Sequence, residues 1–327
     1  MEKPVAIAFD SGKRKSLVLA AIFLVPIIAI LVYYYRSKLS LVFDDPGAFL
    51  ELFLTIAQLK DFTFYSVLTT VSLCTIAFLI VLFTSGWPNN TLRKIFVNPN
   101  HSTRIDIFCF FLAITRLFQT LQLCFSLGIA YFIASVIMHY LNFNIMGAVK
   151  IPVLQPLIIF ILLDLKHYFE HRVMHTKKLW ELHAYHHSAT EFTLFTNARG
   201  HLLEESVYFI FTGLFFALMG YAMHAMFIAY AFREMYGYLL HADIKSDWGW
   251  VGKYILISPQ AHKLHHSVNK EDYGKNYGTL FVWWDKLFGT YKEPSEDIQI
   301  GLQDDLYNQM NFFKGQWVGF KRWINTL

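Results

Sequence analysis

Apolar and polar positions fall in long blocks along this chain rather than in short periods. Residues 16–35 (SLVLAAIFLVPIIAILVYYY) carry no charge over about the 20 residues that a helix needs to cross a bilayer. Residues 62–84 (FTFYSVLTTVSLCTIAFLIVLFT) and 117–138 (LFQTLQLCFSLGIAYFIASVIM) form two further runs of this kind. A fourth, 152–163, is shorter and continues into polar sequence rich in histidine. The last long apolar block, 206–240, is interrupted near Gly213 and Gly220, which predicts a helical hairpin. Blocks this long satisfy their backbone in lipid only as helices, so the pattern predicts an all-α, multi-pass transmembrane bundle. From about 244 onward the sequence turns polar, which predicts a cytoplasmic helical cap. Its aromatic stretches, WGW at 248–250 and FVWWDKLFGTY at 281–291, suit either the headgroup level or the core of that cap.

Composition agrees with the blocks. The chain has 327 residues, 55% of them hydrophobic and 16% charged, against roughly 25% charged in a soluble domain. Charge placement then sets the orientation. Lys13, Arg14 and Lys15 precede the first run; Arg93, Lys94 and Arg104 follow the second; Lys166, Arg172, Lys177 and Lys178 follow the fourth. A cytoplasmic N-terminus with four crossings satisfies all of these and puts the histidine clusters on the cytoplasmic side. That is the inner membrane in a bacterium, or the endoplasmic reticulum in a eukaryote. The first run is longer than a signal core and no small-residue cleavage site follows it, so it reads as an anchor. The net charge of +4 is accounted for by topology, and with no basic stripe outside the spans nucleic-acid binding is not expected. Cys74, Cys109 and Cys124 lie in or beside apolar runs without CxxC spacing and read as reduced packing residues.

The chain divides into residues 1–150, membrane-embedded and without evident chemistry, and 151–327, which carries twelve of the fourteen histidines. Those histidines cluster as HRVMH at 171–175, HAYHH at 183–187 and HKLHH at 262–266. Helical residues three and four apart share a face, so His171 and His175 point together, as do His183, His186 and His187, and again His262, His265 and His266. Neutral imidazole is the commonest metal ligand. Eight converging nitrogens exceed the needs of one ion, which predicts two. Asp164, seven residues before His171, falls on the same helical face and is placed to orient an imidazole. HExxH, the arrangement expected of a zinc hydrolase, is absent. A histidine-held pair of redox irons beside a lipid-filled bundle suits the activation of O2 against unactivated C–H bonds.

The segments DLKHYFEHRVMH (164–175), LWELHAYHHS (179–188) and AHKLHHS (261–267), followed by KNYGTLFVWWDKLFGTY (275–291), resemble the histidine boxes and tail of the fatty acid hydroxylase/sterol desaturase superfamily, integral membrane non-haem di-iron oxidoreductases. The resemblance covers about 155–292. It implies metal ligation by His171, His175, His183, His186, His187, His262, His265 and His266. It adds His241, in HAD at 241–243, as a ninth ligand; Asp243 stands there in place of the usual Asn and is expected to take that position's role in supporting the ligands. His201, in ARGHLLE, resembles an Arg-x-His-Pro segment with Leu202 in place of proline, and is expected beside the site, supporting a ligand or touching substrate. His167 stands where the family often has an aromatic and is left outside the ligand set.

The expected function is O2-dependent hydroxylation or desaturation of a membrane lipid (a sterol, a fatty acyl chain or a related molecule) by two iron ions. No flavin or dinucleotide motif appears, so an external donor, a separate small electron-transfer protein, must supply reducing equivalents. Lys177, Lys178 and Lys263 serve either the positive-inside bias or the reception of such a carrier. Two other classes stay open: a non-catalytic membrane metal-binding protein, and a zinc-dependent lipid hydrolase. Metal transport would call for ionisable groups along the spans, and those before residue 160 offer little beyond Arg116.

Overall fold

The computed structural model describes residues 59–85, 91–125, 129–141, 143–151, 154–220, 223–295 and 297–327. The run 16–35 expected to be the first span lies outside them. Among the described residues the chain is helical, with two isolated β-bridges, Leu256 to Phe281 and Ser267 to Ile300, and no strand. The helices are α1 (Leu59–Ser85), α2 (Thr91–Phe96), α3 (His101–Ile114), α4 (Leu117–Phe125), α5 (Ile129–Tyr140), α6 (Leu154–Met174), α7 (Trp180–His187), α8 (Leu202–Met219), α9 (Met223–Leu240), α10 (Gly249–Tyr254), α11 (Pro259–His265), α12 (Trp283–Leu287) and α13 (Phe312–Ile324).

The expected second span is contained in α1. The third, 117–138, is divided between α4 and α5, and α4 is set off from α3 by Arg116, whose backbone is left-handed at φ 61. The hairpin of 206–240 is α8 and α9, and its break comes at Gly220 alone. Gly220 caps α8 with φ 76, a conformation that favours glycine. Gly213 lies inside α8 instead, where its missing side chain admits α5: a Cβ there would meet Ala134 Cβ at 2.8 Å. Gly213→Leu is therefore expected to destabilise the fold by about 1–3 kcal/mol through overpacking, read as a lowered thermal midpoint of the detergent-solubilised protein. Among the described residues α8 is the one helix long and apolar enough to cross a membrane.

Three packing layers place the chemistry. Ile159 and Leu163 of α6 meet Phe215 and Met219 of α8 and Ala229 of α9. Tyr236 and Leu240 of α9 pack on Ala261 of α11 and on Leu280 and Val282. Ala184 and Tyr185 of α7 pack with Ile105 and Cys109 of α3 and Phe312 of α13. α13 lies close on α7 because Gly315 and Gly319 face it; a Cβ at Gly315 would meet Tyr185 Cε2 at 2.6 Å. In the aromatic stretch 248–250, Trp248 packs edge-on to Tyr236, while Trp250 is exposed.

Candidate metal centre

Each histidine box sits at the C-terminal end of a helix. α6 starts with Pro156 in its first turn, where a missing N–H costs nothing, runs through LIIFILL, and ends at Met174, just after His171 and just before His175. α7 carries His183, His186 and His187 in its last turn. α11 opens with Ser258 accepting from Ala261 N and with Pro259 in the first turn, and closes on His265 and His266. His241 directly follows α9.

These ends meet. His171, His175, His183, His187 and His265 form one group, and His186, His241, His262 and His266 a second; within each, one nitrogen per ring lies within 4.8 Å of all the others. The two groups interlock, with the rings of His187 and His266 stacked at 4.1 Å and those of His183 and His186 stacked at 5.2 Å. All nine ligands expected from the resemblance are brought together. His167 stands apart, its Nδ1 2.6 Å from Glu170 Oε2.

Most of the rings are held by their far nitrogen. Nδ1 of His171 lies 2.8 Å from the carbonyl of Tyr277, that of His265 2.8 Å from Lys275 O, that of His186 2.8 Å from Arg199 O, and that of His241 2.8 Å from Gly237 O. His183 Nδ1 meets Glu204 Oε1 at 2.6 Å, and Glu204 in turn accepts from Tyr208 Oη at 2.7 Å. An acceptor at Nδ1 fixes the tautomer with its proton there and turns the Nε2 lone pair inward. Burial pushes His183 down to about 3 and His186 to about 4. Burial, then neighbouring imidazoles, holds His187, His262, His265 and His266 well below the usual range. These rings are neutral, the form that binds metal.

In each group two of these nitrogens face each other, close enough for one neutral ring to donate to the other or for both lone pairs to turn to one cation. Nε2 of His183 lies 3.1 Å from Nε2 of His187, and Nε2 of His241 lies 3.1 Å from Nε2 of His262. In each pair one ring already gives its proton to an outside oxygen. Two nitrogens bound at about 2.1 Å and at right angles on one cation would stand about 3.0 Å apart. The buried Nε2 atoms of His175 and His265, and both nitrogens of His266, have no hydrogen-bond partner. Buried polar atoms are normally satisfied, and these are clustered where a cation would satisfy them. The donor set fits two metal ions.

The three residues expected to support the ligands act differently. Asp164 takes its hydrogen bonds from Trp284 Nε1 at 2.8 Å, Phe281 N at 3.0 Å and Thr279 Oγ1 at 3.3 Å, rather than from an imidazole. It anchors the segment after Tyr277, whose carbonyl has taken His171 Nδ1. Asp243 pairs with Lys94 and Lys263, each at 2.7 Å, because Asp is an acceptor only and both ammonium groups reach it. His201 caps α8: its Nδ1 accepts from Leu203 N at 3.1 Å and its Nε2 donates to Gln316 O at 2.7 Å, which occupies both nitrogens. Its backbone, not its ring, supports a ligand at one remove, since the backbone N–H donates to Glu204 Oε2 at 3.3 Å while the other oxygen holds His183.

Several functional positions escaped the sequence reading. Glu204 is one; its spacing of three from the capping residue His201 is the available signal. Arg199 is another. It is fully buried, paired with Asp106 Oδ1 at 3.1 Å, and bonded to Ser102 Oγ and Asn308 Oδ1, each at 2.8 Å, which fixes the carbonyl that holds His186. The tail motif belongs to the resemblance, but its role in holding the rings has no signal in the sequence. Asn276 adopts φ 55 and ties Ala261 O to Lys292, so the carbonyls on either side of it hold His265 and His171.

Comparison with known proteins agrees with this geometry. Residues 156–290 match the family described as fatty acid hydroxylase. Human alkylglycerol monooxygenase is 31% identical over 147 residues, 44% of this chain and 32% of that protein. The ornithine lipid hydroxylase OlsE of Rhizobium tropici is 28% identical over 128 residues, 39% of this chain and 38% of that protein. An alternative squalene epoxidase from Phaeodactylum tricornutum is 33% identical over 118 residues, 35% of this chain and 32% of that protein. The chain thus spans about a third of the length of these curated relatives. No solved structure matches. The segment 156–290, which contains all three boxes, matches the fatty acid hydroxylase family and fits the fatty acid hydroxylase/sterol desaturase superfamily.

Proposed function

We propose that this protein is a membrane-bound, di-iron, O2-dependent lipid hydroxylase. The observation that carries the reading is the pair of opposed imidazole nitrogens, one pair in each histidine group. Relatives named for monooxygenation of alkylglycerols and hydroxylation of ornithine lipids favour oxygen insertion over desaturation. Two irons held by the nine histidines supply O2 activation and hydrogen-atom removal from carbon, chemistry that side chains lack.

The chain's own residues hold and shield that chemistry. The carbonyls of Lys275, Tyr277, Arg199 and Gly237, with the Glu204 carboxylate, keep five rings in one tautomer and orientation. The packed layer of Ile159, Leu163, Phe215 and Met219 excludes water from one side of α6 and α8. In the membrane reading the bundle crosses several times, the centre faces the cytoplasm, the substrate arrives from the lipid phase, and electrons come from a separate small protein.

The test is mass spectrometry of lipids from cells carrying the intact gene or His186→Ala, grown under 18O2. The intact gene is expected to add one labelled oxygen to a lipid class, and the variant to add none. Bound metal with no oxidised lipid would favour a storage or assembly protein. Lipid turnover without O2 would favour a zinc-dependent hydrolase.

A further inference from the structure

One face of α13 is packed and another is open. Phe312, Gly315, Gln316 and Gly319 are buried against the rest of the protein. Phe313, Trp317 and Ile324, at spacings of four and seven that share a helical face, are 58%, 48% and 47% exposed. Lys314 and Lys321 are exposed along the edge of this stripe, and the Lys321 ammonium lies 5.3 Å from the Trp317 ring centre. The stripe continues onto α3. The Phe108 and Phe313 rings meet edge-on at 6.4 Å, and Phe108 and Phe111 are 37% and 52% exposed, with Arg104 exposed one turn before them. α13 has no acidic residue, and the acid of α3, Asp106, is buried against Arg199. Arg322 is paired with Asp304 at 3.0 Å, whereas Arg104, Lys314 and Lys321 form no ion pair with a described residue.

We infer that α13 and the outer face of α3 rest on an anionic phospholipid surface, with the aromatic stripe at the headgroup level and Arg104, Lys314 and Lys321 against lipid phosphate. The inference rests on the membrane-bound reading above and adds to it a second, peripheral contact with the bilayer. Depth selects the occupant. α13 is tied to the start of α8, the one helix among the described residues long and apolar enough to cross. Gln316 Oε1 accepts from Leu202 N at 2.8 Å, Gln316 Nε2 donates to Gly200 O at 3.0 Å, and His201 Nε2 donates to Gln316 O at 2.7 Å. A spanning helix leaves the bilayer at its end, so these bonds hold α13 at that level. α3 reaches it too, because the next helix, α4, touches α8 through Gln122 Nε2 and Ser206 Oγ at 3.5 Å. Aromatic rings favour the headgroup region, and amphipathic helices lie there with lysine beside the apolar face. Charge selects the lipid: three unpaired cations with no neighbouring acid match negative phosphates, which are abundant in a cytoplasmic leaflet. The contact bears on the metal centre, because Gly315 and Gly319 of the same helix seat it against α7, which carries His183, His186 and His187.

The test uses the full chain in nanodiscs of phosphatidylcholine, alone or with about a third phosphatidylglycerol as the anionic lipid. Each disc is prepared with ordinary and with brominated acyl chains, since bromine quenches indole emission at close range. The emission lost on Trp317→Phe isolates Trp317 from the other tryptophans. Brominated lipid is expected to remove at least about half of that increment, because an interfacial helix sinks about 5–10 Å into the headgroup and acyl boundary. Quenching should be stronger in the phosphatidylglycerol discs. Lys314→Gln combined with Lys321→Gln should erase that lipid dependence and leave the thermal midpoint in detergent unchanged, since both side chains are exposed. A Trp317 increment untouched by bromine, in chains that do enter the discs, overturns the inference and assigns the stripe to residues 1–58 or to a second copy of the chain. Quenching that ignores both phosphatidylglycerol and the two lysines also overturns it. Chains that fail to enter the discs would refute the membrane-bound reading, and this inference with it.

Discussion

His187→Ala is expected to lower metal affinity in the five-histidine group by about 100-fold and to abolish lipid oxidation. The size follows from the worth of one ligand: roughly 10–16 kcal/mol for a four-ligand zinc site is about 3 kcal/mol per ligand. His187 is well chosen because its Nε2 opposes that of His183 at 3.1 Å, so its removal leaves a gap that no neighbouring nitrogen closes. His262→Ala is its counterpart in the four-histidine group, where its Nε2 opposes His241 at 3.1 Å. Iron per chain, measured after dialysis against a weak chelator, should fall from two to one in either single variant and to none in the double variant. His139→Ala, at an exposed position outside both groups, should keep both ions. Two ions retained in the double variant, or activity surviving it, would sink the ligand assignment. His201→Asn offers a second control, since Asn also caps helices and His201 has no nitrogen free for metal.

The boxes were legible in the sequence because helical spacing of three and four is a short-range rule that puts side chains of known chemistry on one face. What holds the boxes was not legible, because much of it is backbone. The carbonyls of Tyr277 and Lys275 have no letter of their own; their role emerges only when α6 and α11 are brought against the same loop. Asp164 shows the opposite failure. Its face on α6 was read correctly, but a face is about 100° wide, and what stands opposite Asp164 is the 279–284 segment instead of a histidine. Arg199 and Asp106 lie 93 residues apart, and no local pattern pairs them. The break at Gly220 but not Gly213 depended on a neighbour too, since Gly213 serves the approach of α5 and leaves α8 intact.

The tail motif yields the second large effect, and it acts without touching metal. Asp285 is fully buried, and its carboxylate accepts from Tyr277 N at 2.8 Å, Gly278 N at 2.7 Å and Thr290 Oγ1 at 2.7 Å. Those bonds fix the turn that aims two carbonyls at His171 and His265, both members of the five-histidine group. Asp285→Ala strands two buried N–H groups at about 1–3 kcal/mol each and releases the turn. Loss of outer support for a ligand typically costs about 10–100-fold in metal affinity. That loss should fall on the five-histidine group, because Arg199 O and Gly237 O, which hold His186 and His241, belong to other segments. The measurement is a metal titration of the purified full chain: one weak and one unperturbed site for Asp285→Ala, against two tight sites in the parent. Asp285→Asn keeps one acceptor oxygen and should fall between them. Equal weakening of both sites would mean that Asp285 supports the fold as a whole, and an unchanged titration would mean that the carbonyls of 275 and 277 do not set the rings.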